Sequence, residues 1–155
     1  MVRMRPSHRF ALSRANEENY TCGLTRDGVG IAETFDGTLL DAQYDLPDSR
    51  SVLCLGYASL DDAGFNIYLT SADGAIEDAI GGGTLFLSGG YEERRVGDGT
   101  LDFKFFDNDI IYRLSVLPQS RFRFFLPRPW HYKHRLRPHQ LMLNEHSTYM
   151  KADDP

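Results

Sequence analysis

The sequence predicts a mainly β protein, an antiparallel meander that closes into a barrel or folds into a two-layer sandwich, with an irregular or short-helical C-terminal tail. Three observations carry this. Helical periodicity is nearly absent. Short apolar runs are punctuated by four Asp-Gly pairs, Asp27-Gly28, Asp36-Gly37, Asp73-Gly74 and Asp98-Gly99. Residues 101–126 alternate apolar and polar side chains, the period of a half-buried strand. Asp-Gly between strand-like runs is a strong hairpin signal, because a type I′ turn needs positive φ at both central positions.

Strands are expected near 20–26, 29–35, 38–44, 51–58, 64–72, 75–80, 84–88, 100–106, 109–117 and 121–126. Within 101–126 the register can be argued. With Asp107-Asn108 as a two-residue turn, Phe105 faces Ile110, Phe103 faces Tyr112 and Leu101 faces Leu114. Asp102 then lies opposite Arg113 on the other face, a favourable cross-strand pair. A slip of one residue would spoil the apolar matching. With Pro118-Gln119-Ser120 as a three-residue loop, Val116 faces Phe122, Leu114 faces Phe124 and Tyr112 faces Leu126. Both hairpins then share one apolar face. Phe106, Ile111 and Phe125 are left on the outer face, which the C-terminal tail or a second subunit would have to cover.

After Pro127 the pattern changes. Pro127, Pro129 and Pro138 exclude regular central strands. Residues 139–151 carry Met142, Glu145 and Tyr149 at helical spacing and are read as a short helix. No internal repeat or domain boundary is visible. Residues 1–155 are taken as one β-rich domain, with its core at about 19–126 and a C-terminal arm at 127–155. The chain has 155 residues, 41% of them apolar and 12% aromatic, enough for a real core. No apolar run approaches the ~20 residues needed to span a bilayer. The basic N-terminus is followed by no apolar signal region. Cys22 and Cys54 sit in strand-like apolar contexts and are expected as buried free thiols, which points to the cytoplasm.

Charge is laid out unevenly. Residues 15–112 hold 19 acidic against 5 basic side chains, whereas residues 113–139 hold 7 basic and none acidic. Blocks of opposite sign either meet inside the molecule or face partners. The basic block interleaves rings, as in Arg121-Phe122-Arg123-Phe124-Phe125 and Arg128-Pro129-Trp130-His131-Tyr132-Lys133. Such a pattern can bind single-stranded nucleic acid when its rings face outward. The predicted register turns Phe122 and Phe124 inward, so nucleic acid is not the expected partner, nor is a membrane.

No chemistry-bearing motif survives inspection. His131, His134, His139 and His146 have no helical ligand spacing and lie among cations, so no metal is expected. Gly81-Gly82-Gly83 precedes a strand and no Lys, unlike a phosphate loop, and is read as bulges or tight turns, with close backbone approach to a ligand or partner as a secondary role. Asp102, Asp107, Asn108 and Asp109 lack the spacing of a calcium loop. Asp61-Asp62 and Glu77-Asp78 are read as loop and strand-surface charge. Neither a catalytic residue nor a cofactor is assigned.

The expected function is a small non-enzymatic interaction protein, immunity- or inhibitor-like, whose acidic body suits a basic protein partner. A homodimer is also expected, from the surplus outer rings. The interaction surface is placed at Phe106, Ile111, Phe125, Arg121, Arg123 and Trp130. The alternative is a small-molecule-binding or catalytic barrel lined by Phe65, Tyr68, Phe86, Phe103, Phe105, Tyr112, Phe122 and Phe124.

Overall fold

Every regular element of the computed structural model, which describes residues 3–58, 62–85 and 89–147, is a β-strand. In chain order they are β1 (Arg5–Pro6), β2 (Phe10–Asn16), β3 (Thr21–Arg26), β4 (Val29–Gly30), β5 (Phe35–Asp36), β6 (Leu39–Asp45) and β7 (Ser51–Ala58). There follow β8 (Asp62–Thr70), β9 (Ile76–Leu85), β10 (Gly89–Val96), β11 (Thr100–Phe106), β12 (Ile111–Arg121), β13 (Trp130–Tyr132) and β14 (His139–Ser147). No helix among the described residues is long and apolar enough to cross a membrane.

The strands form antiparallel sheets stacked as a sandwich, and no barrel closes among the described residues. A six-stranded sheet in the order β1-β6-β7-β8-β9-β13 lies in the middle. One of its faces meets the four-stranded sheet β10-β11-β12-β14; the other is partly covered by β2-β3-β4, with β5 also on β3. This layering explains why β7 and β8 are apolar almost continuously. A strand buried on both faces has no solvent side to make polar. Along β7, Val52 and Cys54 point into the larger core, whereas Leu53 and Leu55 point into the smaller one with Phe10, Leu24 and Phe35.

The larger core is built round Phe65. Its ring lies 4.6 Å from Phe105, 5.5 Å from Phe103 and Tyr91, and edge-on to Trp130 at 6.0 Å. The space between the two sheets is therefore filled by rings from both. Of the eight residues predicted to line a barrel, Phe65, Phe103, Phe105 and Tyr112 are in this core, and Tyr68 is in the smaller one. Phe86 lies outside the described residues, and Phe122 and Phe124 are exposed.

The register argued for the first hairpin holds as far as Phe103, but the ladder stops there, so Phe105 and Ile110 are not a strand pair and the connection is wider than two residues. Leu101 pairs with Leu114, Asp102 with Arg113, and Phe103 with Tyr112. The guanidinium of Arg113 grips Asp102 with Nε and Nη2 at 2.7 and 2.9 Å. Asp27 and Gly28 both have positive φ, 51° and 80°, as a type I′ turn demands; at the other three Asp-Gly pairs only the glycine does.

The second hairpin is not formed. β12 continues through Pro118 to Arg121, with an irregularity after Val116, and its free edge is taken by β14, which pairs Leu114 with Leu143 and Val116 with Leu141. With that edge occupied, residues 122–126 have no strand to join. The segment read as a helix from 139 is thus a strand as far as Ser147; residues 148–151 lie outside the described residues. Its deciding feature is period-two burial, with Leu141 and Leu143 inside and Asn144 exposed. The core accordingly reaches beyond 19–126, to Met4 and Phe10 at one end and Leu143 at the other. Cys22 and Cys54 are buried and free, as expected.

Candidate functional site

The basic block splits into two parts with different fates. In residues 121–128 the side chains of Phe122, Phe124 and Phe125 are 63%, 56% and 91% exposed. Arg121 and Arg128 are exposed beside them, and Arg123 is half-buried with its Nε lacking a hydrogen-bond partner. Among the described residues none of these three arginines forms an ion pair. The sequence placed Phe122 and Phe124 in the core; the loss of their partner edge to β14 turns them out.

Residues 130–132 dock instead. β13 pairs with β9, Trp130 opposite Gly82, His131 opposite Gly81 and Tyr132 opposite Ile80. Trp130 and Tyr132 enter the core between the sheets, where Trp130 meets Phe103, Phe106 and Tyr112 at 5.9, 5.5 and 5.3 Å. A Cβ on Gly82 would fall 2.5 Å from the indole, so this glycine makes room for Trp130.

Three of the six residues assigned to an interaction surface are therefore buried. Trp130 is 4% exposed, Phe106 3% and Ile111 4%. Phe106 sits where alternation ends at the turn and is covered by the returning Trp130. Ile111 pairs with Ser147 of β14. The chain's own C-terminal strands cover Phe106 and Ile111, two of the three outer-face residues, and leave Phe125 uncovered. Arg121, Arg123 and Phe125 stay at the surface.

A second feature lies on the opposite face of the same strands. Rows across the central sheet align Tyr57, Gly64 and Gly83, then Leu55, Asn66, Gly81 and His131. Glycines on β9 leave this face without side chains, and a cleft of about 270 Å³ opens there. Tyr20 and Tyr57 form one wall, stacked at 4.6 Å. Tyr20 holds a left-handed φ of 53°, unusual for a residue with a Cβ. Asp36 and Lys133 form the other wall, Nζ donating to Oδ2 at 2.5 Å. Burial, and then the Lys133 charge, hold His131 below its ordinary pKa.

Sequence reasoning missed one buried pair altogether. Asp78, read as surface charge, is 4% exposed and His139 is 0%. Asp78 Oδ1 lies 2.9 Å from His139 Nδ1, and Oδ2 accepts the backbone N–H groups of Gln140 and Leu141, each at 2.9 Å. The imidazole stacks on Tyr132 at 3.6 Å. One carboxylate on β9 thus pins the start of β14 to the facing sheet. No sequence pattern marks such a pair, because its members are 61 residues apart.

The histidines are dispersed: His131 over Gly81, His139 on Asp78, and His146 3.1 Å from Arg113. Among the described residues no three His, Cys, Asp or Glu side chains converge in a way that could hold a metal ion.

No known protein family, curated protein or solved structure matches this chain. The reading of its surfaces rests on their own chemistry.

Proposed function

We propose that the protein is a non-enzymatic interaction module that docks a partner protein through residues 121–128. The observation that carries this is the run of outward phenylalanines beside Arg121, Arg123 and Arg128, which form no ion pair among the described residues. Adjacent exposed rings of this size are uncommon on a surface that meets only water. Arg and aromatic side chains are the residues most enriched where interfaces draw their energy. The chemistry fits a partner patch with an apolar centre and an acidic rim.

Both thiols support a non-enzymatic reading, since burial pushes Cys22 up to about 11 and Cys54 well above its ordinary value. Two free buried thiols also favour the cytoplasm.

The acidic body supports a second contact of opposite sign, to a basic partner protein. Asp36, Asp45, Asp48, Asp78 and Asp102 are engaged by the chain's own cations or histidines, but Glu17, Glu18 and Asp27 stay exposed and form no ion pair among the described residues. A homodimer would bring the basic loop of one copy to the acidic body of another.

Photo-crosslinking tests the first reading, with a benzophenone analogue of phenylalanine placed at 125 and, as control, at 18. A covalent adduct to one partner protein is expected from 125 and not from 18. Association with the recovered partner should slow about tenfold in Arg121→Glu/Arg123→Glu and weaken with salt. Adducts from 18 alone would move the contact to the acidic body, and adducts to a second copy would establish the homodimer instead.

A further inference from the structure

The cleft over β9 is independent of the arginine–phenylalanine loop, and its shape has a cause that packing alone does not supply. Of three consecutive glycines, Gly82 is needed for the Trp130 ring and Gly83 for a left-handed backbone, φ 144°. Gly81 has neither excuse. A Cβ there would stand 3.3 Å from Asn66 Oδ1 and from the His131 ring, both movable side-chain ends. The bare position keeps the cleft floor open.

The wall chemistry is specific. Every side chain on it carries a hydrogen-bonding group, and none is aliphatic. Asp36 presents an acceptor directly beside the Lys133 donor. Asn66, buried to 5% exposure, offers an amide from the floor, with Nδ2 within 3.5 Å of Leu55 O. The Tyr20–Tyr57 stack supplies an apolar ring face at one side. Formal charge on the wall cancels, because Asp36 offsets Lys133, while burial and then the Lys133 charge shift His131 towards its neutral form. A neutral wall disfavours phosphates and carboxylates, and the lack of aliphatic lining disfavours lipids. The volume is below the roughly 300–1,000 Å³ of sites for drug-sized ligands.

We propose that this cleft binds one neutral sugar ring, a pyranose or the terminal residue of a glycan. Vicinal hydroxyls match the Asp36–Lys133 pair, one hydroxyl donating to the carboxylate and its neighbour accepting from the ammonium. The C–H face of the ring lies against the tyrosine wall, and the Asn66 amide reads a further hydroxyl. Tyr20 takes its place in this wall with a left-handed backbone, a strained conformation of the kind that clusters at ligand sites.

Amide NMR on the full chain, titrated with the methyl pyranosides of glucose, galactose and N-acetylglucosamine, tests the proposal. At least one should give saturable shifts in the millimolar range, centred on Asn66, Gly81, His131 and residues 19–20. Gly81→Ala, which raises the floor, and Lys133→Met, which keeps the stem and removes the donor, should each weaken binding about tenfold. Retained spectral dispersion shows that each variant is folded, and Lys133→Met decides the matter if Gly81→Ala is not. Absence of saturable shifts with all three sugars would overturn the assignment. So would binding that neither folded variant weakens, or binding of adenosine in their place.

Discussion

Residues 121–128 and 130–132 both carry rings and no acid, yet the phenylalanines of the first stretch are outside the molecule and Trp130 and Tyr132 of the second are inside. Phe125 is 91% exposed, whereas Trp130, five residues on, is 4% exposed. What separates them is whether an edge and a slot exist. The edge of β12 that would have received Phe122 is already held by β14. The edge of β9 is open to β13, and Gly82 is the slot for the indole. A ring is buried only where another strand has left it room.

The sharpest way to break this contrast is to remove one ring from each side. Trp130→Ala should cost about 3–5 kcal/mol, since a large buried ring leaves a cavity among four others. Phe125→Ser should stay within about 0.5 kcal/mol of wild type, as exposed positions do. Urea unfolding of both variants checks the pair, and equal effects would show that the loop is covered after all. Next in size is Asp78→Ala, which strands two backbone donors and the His139 imidazole; about 3 kcal/mol should be lost, measured the same way. Hydrogen exchange should then rise first at 140–143.

Glycine substitutions sharpen the comparison further. Gly82→Ala drives a methyl into the indole and should cost about 1–3 kcal/mol, whereas Gly81→Ala should cost less than about 1 kcal/mol, because its neighbours are side-chain ends. Thermal melts of the two variants give the order. The smallest effect is on pH. His131 binds its proton less readily folded than unfolded, owing to burial and then Lys133. Its contribution is therefore constant above pH 6.5, the ordinary value, and stability declines as pH falls through 6.5, where the unfolded chain protonates first. Lys133→Met should raise the His131 pKa in an NMR titration.

Local pattern made part of the fold legible. The alternation on either side of Asp107-Asn108 determines the 101–114 register, because a slip of one residue puts Asp102 opposite Tyr112 or Leu114 instead of Arg113. The type I′ turn at Asp27-Gly28 is equally local. The second hairpin failed because alternation in 121–126 says that a strand could form, not which edge is vacant. β14 was obscured because Met142, Glu145 and Tyr149 happen to share helical spacing while Leu141 and Leu143 carry the strand period. For the site, Arg121, Arg123 and Phe125 were legible as surface residues. Trp130 was not, since its burial depends on Gly82, 48 positions earlier. The cleft was hinted at by Gly81-Gly82-Gly83, but its walls come from five separate segments.

The Asp78 anchor has a consequence for how the molecule assembles. After β9 the chain leaves the central sheet, builds β10 to β12 opposite, returns as β13 and leaves again as β14. Neighbouring hairpins can zip up one after another, but β13 and β14 can lock only once both sheets are in place. Contacts spanning 61 to 63 residues then close the structure. Such distant closures place folding in the slow range of small domains, milliseconds to seconds. Interactions made after the rate-limiting step govern how fast the native state opens. The carboxylate of Asp78 thus acts as a latch on lifetime, and its removal should quicken unfolding far more than it slows folding.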